Sequence, residues 1–199
     1  MKTKPLGPIP AGYEGRDGEL AIGGQRATTL VEAAGGTPAF VYSRDHIDRR
    51  IADLRAVLPD RIGINYAVKA NPHPEVVAHM APLVDGFDIA SAGELAILAE
   101  CAIDPARVSF AGPGKRDMEL EAAIRAGVTL NCESEGEVER ALSIAQRLSE
   151  RARLAIRVNP DFELKGSGMK MGGGGKPFGV DAERVPALAQ RIILSLIHI

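Results

Sequence analysis

Tryptophan is absent from the 199-residue chain, and aromatic residues make up only 4% of it. So few rings offer no stacking platform for single-stranded nucleic acid, and no stripe of Lys or Arg takes its place. An excess of one charge is also lacking. Against 26 acidic side chains stand 24 basic ones, a formal net charge of −2, so no strongly charged partner is implied. Cys101 and Cys132 stand alone, without CxxC or Cys/His spacing, which argues against a disulfide framework and a structural zinc. Both read as small buried apolar residues. No apolar run is long enough to span a membrane, and the opening MKTKPLGPIPAGYEG has Pro and Gly where a signal peptide carries its apolar region. The expectation is a cytoplasmic protein with neither a nucleic-acid nor a membrane partner. What is present, 45% hydrophobic and 25% charged residues, is the composition of a globular domain with a sizeable core.

Residues 1–20 are rich in Gly, Pro and charge, lack periodicity, and read as a mobile lead-in. Beyond Pro38, strand-type runs alternate with helix-type segments. AFVYS (39–43) is a strand candidate, followed by a helix over 44–57 whose apolar positions are Ile47, Ile51, Leu54 and Val57. Further strands begin at Ile62, Val84, Val108, Val128 and Leu154, spaced 20 to 26 residues apart. Between them the spacing predicts helices over 74–80, 92–100, 116–126 and 134–148. Ser91 with Glu94, and Ser134 with Glu137, match a capping box. This regular repeat means parallel strands with crossover helices, in a doubly wound sheet or a (β/α)8 barrel. Five repeats are visible, whereas a barrel takes eight and about 250 residues, so the chain reads as a fragment: a barrel portion over 21–193 and a suspect tail over 194–199. A last helix is predicted over 181–190. The tail RIILSLIHI after it reads either as a sixth strand cut short or as a stretch outside the native frame.

Side chains alternate across a strand. Ile62, Ile64, Tyr66 and Val68 share one face and Gly63, Asn65, Ala67 and Lys69 the other. Phe87 and Ile89 oppose Gly86 and Asp88, and Leu154, Ile156 and Val158 oppose Ala155, Arg157 and Asn159. One face suits packing under helices; the other combines small residues with one charged group near the C-terminal strand end. That end is where parallel α/β folds keep their active sites, so Lys69, Asp88 and Arg157 are the candidate site residues. A lysine directed into a partly apolar interior is desolvated, which lowers its pKa and makes it a better amine for a Schiff base. Arg157 offers a fixed charge and a planar donor fork, with Asp88 as a compensating charge. From spacing alone, Lys69 could equally be solvated at the rim, and Asp88 with Arg157 could be a structural ion pair.

The string YAVKAN (66–71), with GTPAFVYS (36–43), GFDIASAGEL (86–95), FAGPGK (110–115), NCESEGEVE (131–139) and LAIRVNP (154–160) in order and in register, resembles the fold type III pyridoxal-phosphate decarboxylases of ornithine, diaminopimelate and arginine. The wording is most similar to the diaminopimelate decarboxylases and their exosortase-system relatives. The resemblance implies α/β architecture as a partial (β/α)8 barrel of the alanine racemase-like type, about five of eight strands, without the C-terminal β domain. It also implies pyridoxal 5′-phosphate as cofactor, carried covalently by Lys69 with Asp88 and Arg157 beside it, a small amino-acid substrate, most simply meso-diaminopimelate, and a homodimer. Glu94 lies in a motif segment, though the capping box explains it equally well.

The family's ring-stacking histidine, phosphate-binding glycine loop, acidic partner of the pyridine nitrogen and β domain have no counterpart within the 199 residues, so the chain alone is expected to be inactive. Met171 to Lys176, with four consecutive glycines, invites reading as a phosphate cradle, but it follows strand five, two strands before the family's phosphate loop, and reads as a plain loop. The adjoining Lys176-Pro177-Phe178-Gly179 resembles a segment that approaches the active site on closure. His46, His73, His79 and His198 lack metal-ligand spacing. Other readings compete: an ornithine- or arginine-type decarboxylase, an amino-acid racemase or small cofactor-handling protein of the same barrel type, a cofactor-less homologue that acts as a binding protein, and a class I aldolase with its own Schiff-base lysine.

Overall fold

The computed structural model describes residues 13–160 and 178–195. It falls into two compact units, one up to Ile62 and one from Gly63. In the first, β1 (Tyr13–Arg16), β2 (Glu19–Ile22) and β3 (Gln25–Arg26) form an antiparallel meander. Its turns are Asp17-Gly18, with φ of 53° and 78°, and Gly23-Gly24, with φ of 57° and 78°. Positive φ at both central positions is the two-residue hairpin geometry that matches strand twist. Residues 13–20 of the stretch read as a lead-in therefore form the first hairpin, and the Asp-Gly pair was its available sign.

Helix α1 (Ala27–Ala33) follows; the amide of Thr28 donates to Glu19 Oε1 at 2.7 Å, and its hydroxyl donates to the same oxygen. These bonds hold the Glu19 carboxyl below its ordinary value. Helix α2 (Arg44–Val57) falls where the periodicity puts it, with Ile47, Ile51 and Leu54 half-buried. The expected strand at 39–43 does not form. Phe40 and Tyr42 are exposed and the segment joins no ladder, because β-propensity is realised only against a partner strand.

The second unit contains β4 (Asn65–Ala67), β5 (Gly86–Ile89), β6 (Val108–Phe110), β7 (Thr129–Cys132) and β8 (Arg153–Ile156), paired parallel in the order β4-β5-β6-β7-β8. Between them run α3 (Pro74–Met80), α4 (Ala92–Glu100), α5 (Asp117–Ala126) and α6 (Glu135–Leu148). Strand order that follows chain order is the arc of a barrel; a doubly wound sheet reverses direction at its switch point. The open choice between the two folds is thus settled in favour of the barrel. After β8, the short β9 (Val158–Asn159) pairs in parallel with β10 (Val180–Asp181), which starts a sixth position.

A 3₁₀ turn over Ala182–Arg184 then leads into α7 (Val185–Leu194). The helix begins four residues later than predicted, with Pro186 in its first turn, where a missing N–H costs nothing. It also runs further: Arg191–Leu194 is its last turn rather than a sixth strand, and Leu188 and Ile192 are its buried face. Residues 1–12, the segment 161–177 with the glycine run, and the end of the tail with His198 lie outside the described residues.

The core lies between the sheet and its helices. Phe87, Ile89, Val108, Phe110, Leu130 and Cys132, the helix-facing residues of β5 to β7, are buried. Leu98, Leu120, Ala123, Val138 and Ala141 on α4 to α6 are buried likewise. Each such large side chain contributes about 1.5–3 kcal/mol. The alternation fades in β8, where Leu154 and Ile156 are half-buried and Val158 exposed, because β8 ends the continuous sheet. Residues on the opposite side of the strands, Asn65, Ala67, Asp88, Ser109, Asn131 and Ala155, are half-buried or exposed and line the concave side of the arc. Among the described residues no helix is long and apolar enough to cross a membrane.

Candidate active site

Strand β4 ends after Ala67, and the chain turns through a 3₁₀ segment, Val68–Ala70. Val68 is fully buried and anchors the turn, so its neighbour Lys69 emerges exposed. The hydroxyl of Tyr66 donates to the carbonyl of Asn71 at 3.0 Å, and the Asn71 side chain accepts from the amide of His73 at 3.0 Å. His73 in turn caps α3 by accepting from the amide of Glu75. The first and last residues of YAVKAN thus brace the turn that presents the lysine. Among the described residues no strand pairs with the other edge of β4, and Lys69 is exposed.

Asp88 is half-buried on β5, in register with Ala67 and Ser109. Gly86 two residues earlier is required, because a Cβ there would come within 2.7 Å of Asn65 Oδ1 and 2.8 Å of the Arg107 carbonyl. On β7, Asn131 donates through its side-chain amide to the hydroxyl of Ser109, continuing the polar row along the concave face. Arg157 follows β8, its amide bonded to the Cys132 carbonyl at 3.0 Å. Its guanidinium lies 5.0 Å from the centroid of the Phe178 ring, and Gly179 lets β10 approach, since a Cβ there would meet the Arg157 carbonyl at 2.9 Å.

The acid beside Arg157 is not the expected one. Arg157 donates to both oxygens of Glu133, at 3.0 and 3.2 Å, and among the described residues Arg157 and Asp88 form no ion pair. Sheet order is the reason: β6 and β7 separate Asp88 from Arg157, whereas Glu133 ends the strand next to β8. Glu133 also accepts from the amide of Gly112 at 2.8 Å. Beneath it, Lys115 donates to the carbonyls of Gly112 and Asn131 and to Glu137 Oε1, at 2.6, 2.8 and 2.6 Å. The other Glu137 oxygen accepts from the amide of Glu133 at 3.0 Å. Lys115 and Glu137 have side chains 1% and 2% exposed, a buried pair satisfied on every side. Together these bonds tie the ends of β6, β7 and β8 into one floor.

Lys115 in FAGPGK and Glu133 in NCESEGEVE carry no motif signature of their own. Carrying the alternation of β7 one residue further, through Thr129, Asn131 and Glu133, would have placed Glu133 on the concave side. Glu94 is engaged as a cap, accepting from the amide of Ala90 at 2.6 Å. Burial pushes the Cys132 thiol up to about 12, which removes it as a nucleophile. Cys101 is half-buried, its thiol against the Pro74 carbonyl. Among the described residues no cluster of His, Cys, Asp or Glu could hold a metal ion.

Residues 44–199 match the pyridoxal-binding domain of the pyridoxal-dependent decarboxylases. The chain belongs to this family. It is 42% identical over 153 residues to the diaminopimelate decarboxylase of Aquifex aeolicus, covering 76% of this chain and 36% of that protein. An L-glutamyl-[BtrI acyl-carrier protein] decarboxylase of Niallia circulans is 32% identical, covering 78% and 37%. The crystal structure of diaminopimelate decarboxylase from Helicobacter pylori complexed with L-lysine superposes with a TM-score of 0.78 at 28% identity, covering 86% of this chain and 44% of that one. The chain thus spans about a third of the curated relatives it matches.

The family's cofactor is a pyridoxal group, and the chemistry of the side chains at the strand ends is compatible with one. An exposed primary amine stands where an aldehyde can reach it, small residues line the strands behind it, and a guanidinium is held at the same rim.

Proposed function

We propose that the protein carrying this chain is a pyridoxal-phosphate-dependent amino-acid carboxy-lyase that converts meso-diaminopimelate to lysine. In this reading Lys69 holds the cofactor, Asp88 and Arg157 flank it, and the enzyme acts as a homodimer. The observation that carries the reading is the braced turn at the end of β4, which exposes one amine at the mouth of a parallel barrel arc within a pyridoxal-binding domain. When bound, the cofactor supplies an electron sink for the charge left behind as carbon dioxide departs. The chain's own residues do the rest. Lys69 Nζ would hold the group covalently, and its amine would be the base at hand to carry a proton at that position. Arg157 presents a permanent positive charge to an anionic oxygen, and Asp88 places a carboxylate on the concave row behind Lys69.

The test uses the full-length protein that contains this sequence. Saturated with pyridoxal phosphate, it is expected to show an absorbance band near the visible edge that sodium borohydride abolishes, leaving the label on the Lys69 peptide. Lys69→Ala should lose both band and label, with at least a thousandfold loss of turnover. Label on another lysine would refute the assignment. Lysine released from meso-diaminopimelate is the expected product. Carbon dioxide from ornithine or arginine instead would move the substrate within the family, and racemisation without carbon dioxide would overturn the carboxy-lyase reading.

A further inference from the structure

Two strand-to-helix corners of the barrel arc are built alike. At the β5–α4 corner, Ser91 accepts from the amide of Glu94 at 3.2 Å, and Glu94 accepts from the amide of Ala90 at 2.6 Å. At the β7–α6 corner, Ser134 accepts from the amide of Glu137 at 3.2 Å, and Glu137 accepts from the amide of Glu133 at 3.0 Å. Ala90 and Glu133 therefore occupy the same place, and since the first corner closes around a methyl group, the turn itself does not need a carboxylate there. Glu133 is nonetheless 3% exposed, and burying a carboxylate is costly unless its partners satisfy it. Those partners are the amide of Gly112 and the guanidinium of Arg157, which is also bounded by Phe178. A buried acid locked by a backbone N–H has no freedom to follow a moving arginine, so it dictates where the arginine sits.

We infer that Glu133 is the positioning residue of the mouth: it fixes where the Arg157 guanidinium sits and so the side from which its charge meets an anionic group of the bound cofactor or substrate. The inference rests on the reading of Arg157 as a cofactor-side residue. Glu133 acts through Arg157 and touches no reacting atom.

The experiment uses the full-length protein loaded with pyridoxal phosphate. It compares Glu133→Gln, Glu133→Asp, Arg157→Ala and the double variant Glu133→Gln/Arg157→Ala. Glu133→Gln keeps an acceptor for the Gly112 amide and so preserves the fold while removing the charge that holds Arg157. The expected result is a Glu133→Gln protein that still takes the borohydride label on Lys69 and melts like the unsubstituted one. Its cofactor absorbance should move towards that of Arg157→Ala, and cofactor retention should fall about tenfold. Glu133→Asp should recover part of this loss, and the double variant should be no worse than Arg157→Ala alone. An unchanged spectrum and retention in Glu133→Gln would overturn the inference, as would full additivity of the two single effects. Absence of the Lys69 label in the unsubstituted protein is a different outcome, which removes the functional reading itself.

Discussion

The β5–α4 and β7–α6 corners share a serine cap and a glutamate that reaches back to the preceding amide, yet they differ in what lies beneath. Under β5–α4 the space is partly open and Glu94 is half-buried. The helix start is reinforced from a neighbouring helix instead, where Glu119 accepts from the amides of Ala92 and Arg116, at 3.2 and 3.0 Å. Under β7–α6 the space is closed, and a lysine, two glutamates and an arginine replace solvent. The same local device thus serves two purposes. One corner begins a helix; the other begins a helix and also sets a charged side chain at the barrel mouth.

The sharpest test of this difference is Lys115→Met, which leaves Glu137 buried and uncompensated. A loss of about 3–5 kcal/mol in urea unfolding is expected, with no counterpart at β5–α4. Lys115→Met/Glu137→Gln should recover much of it, because the amide side chain still accepts from the Glu133 N–H without a net charge; no recovery would mean that the pair is not the source of the loss. A smaller effect tests the likeness instead. Ser91→Ala and Ser134→Ala should each cost about 1 kcal/mol, and a difference of more than twofold between them would break the equivalence of the two caps.

The smallest effect concerns pH. Hydrogen bonds from the amide and side chain of Arg116 hold Glu119 below its ordinary 4.5. Its contribution is therefore fully present above about pH 4.5 and is lost as the pH falls through the lower folded value. In Glu119→Gln, the fall in urea midpoint between pH 5 and pH 3 should be shallower than in the unsubstituted chain. Equal slopes would remove Glu119 from the account of the β5–α4 corner.

Much of this was legible locally. Helices α3 to α6 follow from apolar spacing and caps within one turn, and the burial of Phe87 and Ile89 follows from alternation along a single strand. The Ser-x-x-Glu pairs announced both corners. Asp17-Gly18 is an equally local sign of the first hairpin. Other features were not legible, for a consistent reason. Arg157 meets Glu133 across 24 residues, and Lys115 meets Glu137 across 22, distances that only parallel strand pairing closes. The run at 39–43 has the composition of a strand and forms none, because composition does not supply a partner.

By itself the amino-acid order determined the repeating strand–helix rhythm, the two-sided strands and the family, since each is written in spacings of a few residues or in strings of six to ten. Only the tertiary structure decided which acid Arg157 meets. That outcome depends on which strand ends become neighbours, and that order is a property of the assembled sheet.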